Sequence, residues 1–160
     1  MKPLSPDQED HSWMHALNQT HAMELSSTTP SGFAALISTA RLVRVVQPQA
    51  AFMIACDQDA PYDSPNFLWF RRRYDRFLYV DRVAVSTDHR RKGLARVLYD
   101  DLFALARAEG FVRVVAEVNS DPPNPASDAF HVALGFQPVG TAYLADRDKS
   151  VTYYCAGFRT

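Results

Sequence analysis

A strand-turn-helix-strand pattern in the middle of the chain constrains the fold more than any other feature of the sequence. Phe77 to Val85 is rich in aliphatic residues and predicts a buried strand, and a polar turn follows from Ser86 to Lys92. Gly93 to Glu109 has apolar residues three and four positions apart, which predicts an amphipathic helix that ends at Gly110. Val112 to Val118 predicts a second buried strand. Such a unit forms a parallel strand pair with a right-handed crossover.

Two hairpins flank this unit. The first joins Arg41 to Gln47 with Ala51 to Cys56, and the second joins Phe136 to Leu144 with Val151 to Phe158. Hairpins add antiparallel strands to the parallel pair. We therefore expect an α/β (α+β) chain with a mixed central sheet and helices on both faces, forming one domain over residues 1–160.

Helices and irregular segments account for the rest of the chain. Asp7 is the expected cap of a first helix that runs to about Thr20, and Pro30 opens a helix that continues from Ser31 to Ala40. The other predictions are a short edge strand from Met1 to Ser5, an irregular stretch from Asp57 to Arg76, a loop from Asn119 to Pro123 and a short helix from Pro125 to Leu134.

Composition and charge argue against several classes of protein. The 160 residues are 47% hydrophobic, enough for one packed core and too many for a disordered chain. The net charge of −1 gives no support for a nucleic-acid or membrane partner. Cys56 and Cys155 match no metal spacing, so we expect no metal. A polar start and the lack of a long apolar run lead us to expect a cytoplasmic protein.

The turn before the long helix concentrates positive charge. Arg90, Arg91 and Lys92 crowd a helix start, where each cation is unfavourable by about 0.3–1 kcal/mol. Small residues at Gly93 and Ala95 leave the first N–H groups uncovered, and such groups bind anions. The segment predicts an anion site or, with equal weight, a solvated basic turn. It matches neither GxxxxGK[ST] nor GxGxxG, which disfavours nucleotide hydrolysis and dinucleotide binding.

Two motifs resemble those of a known family. Arg90-Arg91-Lys92-Gly93-Leu94-Ala95 resembles the phosphate loop R/Q-x-x-G-x-G/A of the GNAT N-acetyltransferases, and residues 124–136 resemble that family's N-x-x-A-x-x-x-Y-x-x-x-G-F. The likeness covers Phe77 to Phe136 and extends to both hairpins by element order. The blocks from Tyr62 to Phe67 and from Asp121 to Asn124 also look like a poorly characterised GNAT subgroup of predicted acetyltransferases.

The resemblance implies a fold, a cosubstrate and a set of binding residues. The fold is that of the GNAT family, with a splayed parallel strand pair, and acetyl-CoA is the implied acetyl donor. Backbone N–H groups of residues 91–95 would hold the pyrophosphate, the backbone of Val83 and Val85 the pantetheine arm, and Asn124 its amide. The full set expected to contact CoA is Val83, Ala84, Val85, Arg90, Arg91, Lys92, Gly93, Leu94, Ala95, Asn124, Ser127 and His131.

His131 departs from the family pattern, which usually has a tyrosine there that protonates the departing thiolate. Asn124, Ser127 and His131 are spaced to share one face of the short helix. An imidazolium, with an ordinary pKa of about 6.5, could protonate the sulfur instead. A thiolate with a pKa of about 8.5 could also leave without help, and His131 could simply pack locally.

Acetylation of an amine needs a base, because a lysine-like amine has a pKa of about 10.4. Asp81 and Glu117 are the candidates, since both lie near the carboxyl ends of the parallel strands. Glu117 interrupts an otherwise apolar strand and shares a face with Asn119. Either acid could instead form a structural ion pair, for example with Arg82 or Arg113.

The acceptor site is expected at the first helices and the long loop before the central strand. Tyr62, with Phe67 and other aromatic residues of that loop, could wall a pocket or simply bury the loop, and Asp63 could bind an ammonium group. The residues expected to bind the acceptor are Asn18, His21, Tyr62, Asp63, Asn66 and Asn119.

These expectations lead to one main function and two alternatives. The first is transfer of acetyl from acetyl-CoA to the amine of a small molecule or peptide by direct attack, by a chain whose last hairpin could form a homodimer. The second is a non-catalytic acyl-CoA-binding module. The third, a nucleic-acid binder using the arginines of residues 71–73, has no support from the net charge.

Overall fold

A computed structural model describes residues 2–158, apart from the side chains of residues 23 and 24. The elements, in chain order, are α1 (Asp10–Thr20), α2 (Ala22–Leu25), α3 (Pro30–Thr39), β1 (Leu42–Val46), β2 (Ala51–Asp57), α4 (Pro65–Arg71), β3 (Leu78–Val85), a 3-10 turn (Thr87–His89), α5 (Leu94–Ala108), β4 (Arg113–Asp121), α6 (Pro125–Ala133), β5 (Gln137–Leu144) and β6 (Lys149–Gly157).

The six strands form one mixed sheet in the order β1-β2-β3-β4-β6-β5. The β3–β4 pair is parallel and the others are antiparallel. Alternate strand residues divide the core: Leu78 and Ala116 pack in a cluster with α5, whereas Tyr79 and Val115 pack in a cluster with α4, and Phe52 packs with α1 and α3. Helices therefore cover both faces, as the sequence predicts.

Local sequence explains where α3 begins and which face α5 turns toward the sheet. The Thr29 side chain accepts a hydrogen bond from the Gly32 N–H, which caps α3 ahead of Pro30. In α5 the buried residues recur at helical spacing and turn one face toward the sheet: Leu94, Leu98, Tyr99, Leu102, Phe103 and Ala106. Among the described residues no helix is long and apolar enough to span a membrane.

Four sequence-based predictions need correction or completion. The stretch from Asp57 to Arg76 is not wholly irregular, because Pro65 opens α4. The loop expected from Asn119 is strand, since β4 continues to Asp121. The first helix begins at Asp10, whose carboxylate accepts from the Asp7 N–H. Leu4 of the expected edge strand bridges Val45, while Met1 lies outside the described residues.

Candidate functional site

The parallel strands β3 and β4 separate soon after they begin. In the described chain they pair at only two positions, Leu78 with Val114 and Tyr79 with Val115. β3 remains paired with β2 as far as Val85, so it stays extended while its other edge opens. An extended ligand can pair with such an open edge as an added strand. The expected splayed pair is thus confirmed.

A cavity of about 360 Å³ occupies the gap between the two strands. Its α5 side, next to α5 and α6, is lined by Val83, Ala84, Val85, Arg90, Asn124 and Ser127. Its hairpin side, next to α2, α4 and the β5–β6 turn, is lined by His21, Ser26, Tyr62, Asn66, Arg147 and Lys149. Glu117 lies between the α5 side and the hairpin side.

The chain before α5 has the geometry of an anion site. Gly93 and Arg91 have φ values of 72° and 65°, a left-handed conformation that glycine adopts easily and arginine rarely. In the described chain no side chain caps α5, so its first N–H groups remain available to an anion. A depression of about 220 Å³ at this helix start shares Val85 and Arg90 with the cavity.

Most residues expected to contact CoA therefore lie in one continuous region. Arg91, Gly93, Leu94 and Ala95 line the depression, and the other members line the cavity. Lys92 is the exception, because it is exposed and lines neither space. Contact with CoA itself stays a prediction for all of them.

The helix α6 holds Asn124, Ser127 and His131 in a local hydrogen-bond network. The Asn124 side chain accepts from the Ser127 N–H at 3.3 Å and so caps the helix. His131 is only 4% exposed, and its Nδ1 lies 2.7 Å from the Ser127 carbonyl oxygen. A carbonyl only accepts, so Nδ1 carries a proton, and Nε2 can then accept from the Tyr99 hydroxyl at 2.8 Å.

This network revises the role expected of His131. Burial lowers its pKa below the ordinary value, so the imidazole is neutral at neutral pH. With both ring nitrogens already bonded, an imidazolium acid has no support in this geometry. His131 instead holds the hydroxyl of Tyr99, which lines the cavity.

Glu117 is a half-buried acid whose two carboxylate oxygens differ in their surroundings. Its Oε1 accepts from the Tyr79 hydroxyl at 2.9 Å and from Asn66 Nδ2 at 3.1 Å, whereas its buried Oε2 has no hydrogen-bond partner within residues 2–158. Asn66 is itself fixed, because its Oδ1 accepts from Tyr153 at 2.8 Å. Burial, and then the charge of Asp81, raise the pKa of Glu117 to about 8. A carboxyl poised near neutral pH suits a general base.

Asp81, the other candidate base, is fully engaged. A register shift between β2 and β3 makes Asp81 the extra residue of a bulge, beside Arg82. Its Oδ2 lies 2.8 Å from Arg82 Nε, and its Oδ1 accepts from Tyr62 at 2.8 Å. Arg82 also donates to Asn18 at 2.8 Å and to the Ser26 carbonyl at 3.0 Å. Asp81 thus forms the structural ion pair that the sequence left open as an alternative.

The residues expected to bind the acceptor divide into two groups. His21, Tyr62, Asn66 and Asn119 line the cavity. The buried Nε2 of His21 has no hydrogen-bond partner in the described part of the chain. Asn18 and Asp63 do not line the cavity: Asn18 is fully buried behind Arg82, so its expected contact with the acceptor is corrected to a supporting one.

Most aromatic residues of α4 pack into the core. They bury this segment against the sheet, which was one of the two alternatives that the sequence left open, and do not wall a pocket. Phe67 and Phe70 are fully buried in the core under the sheet. Trp69 stacks on Tyr153 at a centroid distance of 4.1 Å. Of the aromatic residues in the stretch from Tyr62 to Phe77, only Tyr62 lines the cavity.

Sequence reasoning missed several residues of the site. Tyr99 resembles an ordinary member of the apolar face of α5, although a hydroxyl on that face is a usable signal. Tyr79 likewise lies inside an apolar strand. Arg147 and Lys149 belong to a polar hairpin turn, where nothing in the local sequence distinguishes them from solvated charges.

Comparisons with known proteins agree with this geometry. Residues 62–136 match the model of the Acetyltransferase (GNAT) family. Among solved structures, the ribosomal-protein-S18-alanine N-acetyltransferase of Escherichia coli is 17% identical, with a TM-score of 0.72 over 99% of this chain and 94% of that chain. Ard1 of Thermoplasma volcanium is 18% identical, with a TM-score of 0.73 over 96% of this chain and 95% of that chain.

A third solved structure carries ligands. It is the NatC complex bound to Gag peptide and CoA, with 11% identity and a TM-score of 0.74 over 99% of this chain and all of that chain. No curated protein sequence gives a significant match. At these identities the structural likeness establishes the fold, and the family match covers the segment that holds both motifs. Residues 62–136, just under half of the chain, therefore match the acetyltransferase (GNAT) family, and the chain has the fold of its solved structural neighbours.

Proposed function

We propose that this protein is an acetyl-CoA-dependent N-acetyltransferase that transfers acetyl to the amine of a small molecule or peptide by direct attack. One observation carries the proposal: the cavity joins the open edge of β3 to Glu117, whose buried Oε2 has no hydrogen-bond partner among the described residues. The known CoA complex of a structural neighbour supports the choice of cosubstrate.

The α5 side of the cavity would hold acetyl-CoA, which supplies an activated thioester carbonyl when bound. The open backbone edge at Val83 and Val85 would pair with the pantetheine arm. The uncapped start of α5, together with Arg90, would hold the pyrophosphate by dipole and charge.

Glu117 would take the proton from the attacking amine. Asn66 and Tyr79 hold Oε1, which would leave Oε2, unpartnered among the described residues, to accept that proton. As the new N–C bond forms, the C–S bond breaks and the thiolate leaves, and it acquires its proton from solvent. With an ordinary thiol pKa of about 8.5 it leaves without a strong acid, which is consistent with a neutral His131.

Direct attack is favoured over a cysteine intermediate. Neither Cys56 nor Cys155 lines the cavity, and burial raises the pKa of the Cys56 thiol to about 12. A thiol with such a pKa supplies almost no thiolate at neutral pH.

The test is acetyl-CoA binding by calorimetry on the wild type and on two variants of Gly93. Gly93→Asn and Gly93→Asp face the same left-handed backbone, which Asn and Asp tolerate better than most residues. Only Asp adds a negative charge beside the expected pyrophosphate. We expect Gly93→Asp to weaken binding at least tenfold more than Gly93→Asn, with both folds intact by circular dichroism. Absence of binding by the wild type would refute the proposal, and binding without turnover of any amine would favour the non-catalytic module.

A further inference from the structure

A surface rich in arginine lies between the end of α4 and the end of the sheet opposite the cavity. Arg76 precedes β3 and Arg113 opens β4, whereas Val85 and Asn119 line the cavity near the other ends of the same strands. Over the length of β3 the two ends are ~20 Å apart. We name this region the basic surface, and its arginines are Arg71, Arg72, Arg73, Arg76, Arg107 and Arg113.

Four of these arginines lie over aromatic rings, with the guanidinium carbon between 3.7 and 4.7 Å from the ring centroid. The pairs are Arg73 with Trp69, Arg76 with Phe111, Arg107 with Phe158, and Arg113 with Tyr74. Backbone carbonyls hold two of them further, because Arg113 donates to the Arg76 carbonyl at 3.3 Å and Arg76 donates to the Glu109 carbonyl at 2.8 Å. A partner that binds guanidinium groups already held in place loses little side-chain entropy.

The basic surface has few acids to balance its charge. The ion pairs within the described residues include none of its arginines. Among the acids at this end of the sheet, Asp57 and Glu109 both pair with Arg41. Asp59 and Asp75 are left to offset the charge of the whole set. The surface therefore has a positive potential that attracts anionic groups.

The composition of the basic surface is that of a protein-binding site. Each of its cations is an arginine, and a guanidinium group binds a carboxylate through two parallel hydrogen bonds. Arginine, tryptophan and tyrosine are enriched at protein interfaces and at their energetic hot spots, whereas lysine is depleted there. Trp69 and Tyr74 are half-buried, so each keeps part of its side chain open to a partner.

A nucleic-acid partner fits this surface less well. Single-stranded nucleic acids stack their bases on open aromatic rings. Trp69 is stacked both by Arg73 and by Tyr153, and Phe111 is buried beneath Arg76. The net charge of −1 also gives no wider positive field to hold a phosphate backbone.

From these observations we propose that the basic surface docks an acidic segment of a partner protein, whose Asp and Glu carboxylates are bound by the arginine guanidinium groups. The surface shares no residue with the cavity among the described residues. The inference is therefore independent of the proposed function, and either can fail without the other.

The experiment measures fluorescence anisotropy of labelled probes with the full chain at low salt. Hexaglutamate is the acidic probe, hexaglutamine is its neutral match, and an oligouridylate of similar length represents nucleic acid. Arg113→Gln removes a stacked guanidinium group, and Arg72→Glu reverses the charge of an exposed side chain. Arg96→Gln is the matched control, because Arg96 is exposed in the first turn of α5, at the opposite end of that helix from Arg107.

We expect hexaglutamate to bind about tenfold more tightly than either hexaglutamine or oligouridylate. The affinity for hexaglutamate should fall about fivefold or more in Arg113→Gln and in Arg72→Glu, and should stay unchanged in Arg96→Gln. Circular dichroism checks the fold, and Arg72→Glu decides the result if Arg113→Gln is unfolded. Equal binding of the two peptides, tighter binding of oligouridylate, or a loss of affinity confined to Arg96→Gln overturns the inference.

Discussion

The two sides of the cavity are built in different ways. The α5 side comes from two segments of the chain: β3 with the start of α5, and the start of α6. Its main features are backbone groups, namely the open edge of β3 and the uncapped first N–H groups of α5. The hairpin side comes from α2, α4 and the β5–β6 turn, and presents side chains. A binding site made of backbone groups needs only small residues and the correct turn, so it can be recognised as a short sequence motif. A binding site made of side chains from distant segments has no such motif.

The two cavity acids show the same contrast at the level of single residues. Asp81 has both oxygens occupied, by Arg82 and Tyr62. Glu117 has one oxygen held by neutral donors and one unpartnered among the described residues. Only an acid of the second kind can accept a proton without breaking existing bonds. Four predictions test this division, in order of expected effect.

Glu117→Gln should separate catalysis from binding on the α5 side. We expect kcat/KM for the best amine to fall about 10²–10⁴-fold, the usual contribution of a general base. The Kd for acetyl-CoA should be unchanged, because Glu117 is not among the residues expected to contact CoA. In the wild type, kcat/KM should rise with pH up to about pH 8, where Glu117 loses its proton. An unchanged rate in the variant would remove Glu117 from the mechanism.

The same residue should make stability depend on pH. The folded chain keeps the Glu117 proton up to a pH of about 8, whereas the unfolded chain loses it near the ordinary pKa of 4.5. Between these values the folded state holds the extra proton, so the free energy of unfolding falls as pH rises. For one proton the slope reaches at most about 1.4 kcal/mol per pH unit. Urea titrations from pH 5 to pH 9 should show that slope in the wild type and a shallower one in Glu117→Gln.

Gly140→Ala should damage the support of the hairpin side. A Cβ on Gly140 would overlap the ring of Trp69, on the helix that carries Asn66. We expect a loss of about 1–3 kcal/mol in the free energy of unfolding by overpacking. Gly157→Ala is the matched control, because no described atom lies within 4 Å of its Cβ. Equal denaturation midpoints for the two variants would contradict the expected role of Trp69.

The weakest test compares two helix caps. Thr29 caps α3 away from the cavity, and Asn124 caps α6 on the α5 side. Each change to Ala should cost about 1 kcal/mol of stability. Only Asn124→Ala should also weaken acetyl-CoA binding, by roughly tenfold or less for one lost hydrogen bond. Matched losses of stability with unchanged binding in both would limit Asn124 to capping.

Much of the fold was predictable because its signals are local. The spacing of apolar residues identified α5, and alternation with turn residues identified both hairpins. The helix α4 was missed, because its seven residues carry four aromatic or leucine side chains with no polar face to reveal helical period. The extra length of β4 was missed because Asn119 and Asp121 have low strand propensity, which pairing with β6 overrides.

The candidate site was predictable in part. The glycine and small residues at the start of α5 predicted an anion site there, and the uncapped start of that helix is compatible with one. The apolar context of Glu117 marked it as an unusual acid. The sequence could not reveal that His131 is poorly placed to act as an imidazolium acid. Its burial beside Tyr99 depends on how α5 and α6 pack together. The engagement of Asp81 likewise depends on the bulge that places it beside Arg82.

The sequence by itself determined the order of the elements and the phosphate-loop motif, since both depend on residues close together in the chain. The tertiary structure alone decided which acid has an unpartnered oxygen among the described residues, that burial lowers the pKa of His131, and that Arg147 contacts Ser26. These properties depend on burial and on contacts between segments far apart in the chain. Hydrogen-bond partners and desolvation set the protonation of a group, and neither exists until the sheet and its helices have packed.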